Sequence, residues 1–118
     1  MTKINLKLSD GTELNKKLTW GIHRELSNYL MEDNALMVLF TDSSVSEMVL
    51  QICLSERNET GEVTKSFHKT NDLDVDSMLN FLQELHDYFE DFFFQNQQRM
   101  LKTQKKIQSL QDLQATEN

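Results

Sequence analysis

Residues 87–98 read "DYFEDFFFQNQQ": Tyr88, Phe89, Phe92, Phe93 and Phe94 fall within seven residues and give way at once to glutamine and asparagine. At about 100° per residue, one helix face cannot hold all five rings. Carried back to Val75, the same rotation gathers Val75, Met78, Leu79, Leu82, Leu85, Phe89, Phe92 and Phe93 into one band, with Phe81 and Tyr88 extending its edge. The band spans roughly 180°, against about 100° for an ordinary surface helix. Phe94 falls outside it, among Asp87, Glu90 and Asp91 on nearby turns. The pattern predicts one long helix that starts after Asp72 or Asp74, reaches at least Arg99 and can continue to Leu113. Two coverings suit so wide a band. Either other segments of the same domain sandwich it, leaving Phe94 as a lone exposed ring, or another polypeptide covers the surplus. Burial of one phenylalanine is worth about 1.5–3 kcal/mol, so two or three beyond the core suffice to hold an oligomer or a client segment.

Past Gln98 the band thins to Met100, Ile107, Leu110 and Leu113, spaced three or seven apart, with seven glutamines between Gln95 and Gln114. Such a seam suits a helix lying on a partner or a neighbouring copy; a partly ordered tail is the other reading. Charge follows the same axis. Residues 70–91 hold seven acids and no lysine or arginine, whereas residues 99–106 hold four bases and no acid. Acids towards a helix N-terminus and bases towards its C-terminus suit the macrodipole of one continuous helix, and equally allow head-to-tail attraction between copies.

Upstream, Ile4, Leu6 and Leu8 alternate with Lys3, Asn5 and Lys7, and Asp10-Gly11 supplies a tight turn. Leu14 and Leu18 continue a return strand, and the hairpin needs helices over its apolar side. Thr19 is the expected N-cap of a first helix bearing Ile22, Leu26, Tyr29 and Leu30. "NALMVLF" reads as a buried helix or a buried strand, and its periodicity does not separate them. Ser44 and Glu47 fit a capping box for a helix whose apolar face is Val45, Met48, Val49, Ile52 and Cys53. The polar run around Gly61 suits a loop or short hairpin, with Val63 and Phe67 tucked onto the body.

The chain's 118 residues, 38% hydrophobic and 26% charged, are those of one globular domain. A net charge of −7 opposes general nucleic-acid binding. "TKINLKLSD" has no apolar core of a signal peptide, and the longest apolar run, residues 35–40, falls far short of a membrane span. The single cysteine, Cys53, excludes an intrachain disulfide and fits a reducing cytosol.

Asp72, Asp74 and Asp76 have the spacing of a calcium loop, but Ser77 replaces its glycine and Gln83 its bidentate glutamate, so they read as helix-start acids. His86 and Glu90 stand one turn apart with Glu84 and Asp87 close by. One histidine with scattered carboxylates is a weak metal signal, because a site needs three or four converging ligands. A solvated histidine beside acids is the expectation. His23 and His68 have no obvious partner, and Cys53 reads as a small buried hydrophobe. Neither phosphate loop nor hydrolase motif occurs, so neither an enzyme nor a cofactor is expected.

Three segments together resemble one family: "MTKINLKLSDGTELNKKLTWGIHRELSNYL", "ICLSERNETGEV", and "FLQELHDYFEDFFFQNQQ" with its glutamine-rich sequel. The chain is similar over nearly its whole length to the tail assembly chaperones of long-tailed bacteriophages, more narrowly of phages infecting Gram-positive bacteria such as lactococci. What carries the likeness is a hairpin turn, a "TWG" helix start and an apolar helix. The resemblance implies a mainly helical protein of the host cytoplasm, not retained in the virion, that coats the long apolar tape measure protein until tail-tube subunits polymerise around it. It also implies self-association.

The expected fold is mainly α within an α+β class. An N-terminal β-hairpin (1–18) precedes a small helical bundle (19–113) with one long C-terminal amphipathic helix, in a single domain followed by a flexible polar tail (114–118). The expected partners are the tape measure protein, further copies of the chain and the tail-tube protein, with neither nucleic acid nor membrane. The wheel nominates Leu85, Phe89, Phe92, Phe93 and Phe94, then Met100 and Leu101, as partner-binding residues. The alternative is a small acidic regulatory adaptor, an antirepressor or host-enzyme inhibitor, with residues 70–91 as a charge mimic and the aromatics as ordinary core.

Overall fold

The alternation at the N-terminus produces β1 (Lys3–Lys7) and β2 (Glu13–Lys17), paired antiparallel with Asn5 opposite Asn15. In this computed structural model, which describes residues 1–116, Ile4, Leu6 and Leu8 are buried and the residues between them exposed. The turn is longer than a two-residue one. Gly11 N–H donates to Leu8 C=O at 3.0 Å and Leu8 N–H to Thr12 C=O at 2.8 Å, with Gly11 at φ +91°. That is a type I turn closed by a glycine bulge, and Asp10 Oδ1 accepts from Thr12 N–H at 2.8 Å to hold it.

Helix α1 (Trp20–Met31) begins where the sequence places it: Thr19 Oγ1 accepts from Ile22 N–H at 3.3 Å. Its buried face is Ile22, His23, Leu26 and Leu30. A 3-10 turn (Glu32–Asn34) follows, and Asn34 at φ 57° ends the helical run. Residues 35–41 are then neither helix nor strand. Met37, Val38, Leu39 and Thr41 each donate to the carbonyl three residues back, a chain of turns that buries Ala35 and Leu39 and leaves Met37 and Phe40 exposed.

Helix α2 (Ser43–Leu54) is capped by Asp42, whose Oδ1 accepts from Ser44 N–H at 2.9 Å, and not by Ser44. Glu47, the expected partner in a capping box, instead accepts from the Thr70 hydroxyl at 3.0 Å. Val45, Val49, Ile52 and Cys53 are buried as their spacing implies; Met48 is exposed and Leu50 takes the interior place. A short hairpin, β3 (Glu56–Arg57) and β4 (Val63–Lys65), occupies the polar run. Asn58 Oδ1 organises its loop by accepting from the amides of Thr60 and Glu62. Val63 does not tuck inward and remains exposed. Phe67 is half-buried: Gln51 clamps its backbone, donating to Phe67 C=O at 2.5 Å and accepting from its N–H at 3.2 Å.

Helix α3 (Val75–Thr116) is the long element. Asp74 caps it, its Oδ2 accepting from Ser77 N–H at 3.0 Å, while Asp72 belongs to the preceding 3-10 turn (Thr70–Asp72). Residues 117–118 of the expected tail, and the side chains of Leu113 and its successors, lie outside the described residues. The chain divides into two compact units, Met1–Tyr88 and Phe89–Asn118. In the first, β1, α1, residues 35–41, α2 and the start of α3 enclose one core, to which α3 contributes Phe81, Leu82 and Leu85. The mixed α+β architecture, with hairpin first and long helix last, follows the sequence-based expectation.

Candidate protein-interaction surface

Within the second unit, the helical rotation sets two apolar stripes. Phe89, Phe93, Met100 and Ile107 recur at four- and seven-residue intervals, with Phe92 and Leu110 flanking them; Phe94 and Leu101, seven apart, stand about 100° round the helix. The rings pack on one another: Phe89 meets Phe92 edge-on at 6.1 Å between centroids, and Phe93 lies 5.7 Å from both. Phe89 is 0% exposed, whereas Phe92 and Phe93 are half-buried. Phe94, Met100, Leu101, Ile107 and Leu110 each keep between 45% and 63% of their surface in water.

The seven nominated residues therefore separate. Leu85 and Phe89 are interior and present no surface to a partner in this structure; Phe92 and Phe93 present part of a ring; Phe94, Met100 and Leu101 are exposed. Further along, Ile107 and Leu110 are as exposed as Leu101, and their heptad spacing was the signal that places them on the same surface. The band is also rotated from its expected setting. Phe81, put at its edge, is 2% exposed, while Val75 and Leu79, put within it, are exposed. The hairpin and the two shorter helices choose the azimuth of the covered face, and nothing within α3 itself fixes it.

The exposed stripes are flanked by polarity rather than by further apolar surface. Arg99, Lys102, Lys105 and Lys106 lie between Phe94 and Ile107, and Glu90 and Asp91 precede them. A helix with apolar side chains set between long basic ones can bury methylene stems together with the rings when a second helix covers it. Met100 adds an unbranched thioether able to fit partners of differing shape.

The first unit exposes separate apolar groups. Trp20, at the start of α1, is 69% exposed and stacks on His23 with centroids 5.3 Å apart. His23 Nδ1 lies 2.8 Å from the Tyr88 hydroxyl, and burial holds this imidazole's pKa below its ordinary value, so the ring is neutral at pH 7. Tyr88, an edge residue on the wheel, thus spends its polar tip inside the fold. Cys53 is buried, and burial pushes its thiol up to about 12, against the weaker opposing pull of Lys16 and Arg57; no thiolate forms at neutral pH. His86 packs its ring against Phe40 at 5.7 Å and lies 3.4 Å from Asp87 Oδ1.

Among the described residues, no helix is long and apolar enough to cross a membrane. Comparisons with protein-family models, with curated proteins and with solved structures find no match to this chain.

Proposed function

We propose that this protein is a phage tail assembly chaperone that shields apolar helical segments of a tape measure protein before the tail tube polymerises around it. One observation carries the reading: Phe94, Met100, Leu101, Ile107 and Leu110 stand exposed along a single helix, with Phe92 and Phe93 half-covered beside them. Complete burial of one such side chain contributes about 1.5–3 kcal/mol, so covering even half of this set yields a gain sufficient for a stable complex. The client chemistry that fits is an amphipathic helix whose apolar stripe is bordered by acids, opposite Arg99, Lys102, Lys105 and Lys106. The resemblance of the hairpin, the "TWG" helix start and the aromatic helix to tail assembly chaperones supports the same assignment. On this reading the chain works in the host cytoplasm, associates with further copies of itself, hands its client to tail-tube subunits and is not retained in the virion.

The test is co-expression with the long helical protein encoded beside it in a phage genome. The expected result is a soluble client with the wild-type chain and an aggregated client with Phe94→Asp or Met100→Asp, each folded by circular dichroism. Equal client solubility with and without this chain refutes the assignment.

A further inference from the structure

The N-terminal hairpin has one edge that is closed at its Lys7 end and one that is open along its length. Leu18 N–H donates to Thr2 C=O at 2.9 Å and Leu8 N–H to Thr12 C=O at 2.8 Å. In this register, the alternation of an antiparallel ladder makes Ile4–Lys16 and Leu6–Leu14 the hydrogen-bonded pairs. The odd-numbered residues of both strands therefore aim their main-chain groups outward. On β1 those of Lys7 are taken, its N–H donating to Ser77 Oγ at 2.9 Å and its C=O accepting from Asp74 N–H at 2.8 Å. A bridge between Leu8 and Leu73 closes the edge further along. On β2, Glu13, Asn15 and Lys17 are exposed, and among the described residues their outward amides and carbonyls have no hydrogen-bond partner.

We propose that this edge of β2 pairs antiparallel with β2 of a second copy, about a two-fold axis through Asn15, to make a four-stranded sheet. On its solvent face, Glu13, Asn15 and Lys17, the open edge is its own complement. With Asn15 opposite Asn15 of the second copy, Glu13 falls opposite Lys17 and Lys17 opposite Glu13, and opposite charges facing each other across strands are stabilising. The alignment also relieves a repulsion within the chain, because Lys17 lies opposite Lys3 in the hairpin register and gains a carboxylate on its other side. Edges are commonly protected by proline, a bulge or charged side chains. Residues 13–17 have neither proline nor bulge, and their outward charges, Glu13 and Lys17, are of opposite sign. The inward Lys16 is occupied within the chain, its Nζ donating to Ser55 C=O at 2.7 Å. A two-fold pairing closes on itself, so it yields a dimer and not a fibre. Pairing β2 with the full length of β1 of another copy, by contrast, meets the Lys7 groups already bonded to Ser77 and Asp74. The surface lies wholly within residues 1–88 and shares no residue with the exposed helix stripes, so it stands whether or not the client assignment does.

Engineered thiols in the full chain test the register directly. Across a hydrogen-bonded antiparallel pair, Cα atoms lie about 5.5 Å apart, within disulfide reach, and the native Cys53 is buried. Under mild oxidation, Asn15→Cys should form a covalent dimer. Glu13→Cys alone should not, because its symmetry mate is about 14 Å away, but an equimolar mixture of Glu13→Cys and Lys17→Cys chains should cross-link. An Asn15→Cys chain that stays monomeric, or a Glu13→Cys chain that cross-links as readily, overturns the pairing. Sedimentation gives a second measure. Glu13→Lys should weaken the dimer about tenfold through its two symmetry-related pairs, and adding Lys17→Glu should restore it. Failure of the double variant to recover, with both variants folded, also overturns the pairing. Asn15→Pro should abolish the dimer while leaving the hairpin intact, since the amide it removes faces away from β1.

Discussion

Phe89 and Phe94 stand five residues apart in one aromatic cluster, yet the structure assigns them opposite energetics. Phe89 is wholly buried and packs edge-on against Phe92, whereas Phe94 keeps 59% of its surface in water. Truncating a buried phenylalanine to alanine removes its transfer free energy and leaves a cavity, together about 3–5 kcal/mol. The same truncation at Phe94 removes a ring that is mostly hydrated and opens no cavity, so its effect on the isolated chain should stay within about 0.5 kcal/mol. With total stability on the order of 5–15 kcal/mol, Phe89→Ala should remove roughly a fifth or more of it. At a urea m-value of about 2 kcal/mol/M, the unfolding midpoint should fall by roughly 1.5–2.5 M for Phe89→Ala and barely move for Phe94→Ala. Equilibrium urea unfolding followed by circular dichroism measures both variants against wild type. If Phe94→Ala costs as much as Phe89→Ala, Phe94 belongs to the core and the exposed-stripe reasoning collapses; a silent Phe89→Ala is equally damaging.

Burial depresses the pKa of His23 below its ordinary 6.5, so the unfolded chain takes up a proton at higher pH than the folded one. This contribution to stability is therefore complete above about pH 6.5 and declines as the pH falls below it; His23→Gln should flatten that decline in pH-dependent melting curves. Cys53, with its thiol pushed up to about 12, should resist a thiol reagent at pH 8 in the native protein and react within minutes in denaturant; rapid native labelling refutes its burial. Gly11→Ala places a side chain at φ +91° and should cost about 1 kcal/mol by urea unfolding, although nothing lies within 4 Å of the added methyl; the penalty comes from the backbone alone.

Much of the local structure is readable in the chain. Alternation at Ile4, Leu6 and Leu8, the Thr19 cap and the uninterrupted helical run after Asp74 all express energies set by residues a few positions apart. The crowding at 88–94 likewise marks a stretch in which not every ring can share one face. Of the features that escaped, three are the most instructive. Residues 35–41 form a chain of turns between Asn34 and the Asp42 cap, an outcome that their apolar run alone did not distinguish from a helix or a strand. Asp42 takes the cap expected of Ser44, which lies within the first turn of the helix, and Glu47 accepts from Thr70, far along the sequence.

The third concerns which side of α3 is covered, and it matters most for the surface. A periodic apolar pattern specifies a helix and the breadth of its greasy face, because both depend on neighbours three and four residues away. It does not specify the azimuth at which the fold meets that face. That choice belongs to the segments packed on α3 within residues 1–88, which bury Phe81 and leave Val75 and Leu79 in water. The order of elements is thus written locally along the chain, while the identity of the exposed side chains arises from contacts between residues distant in sequence.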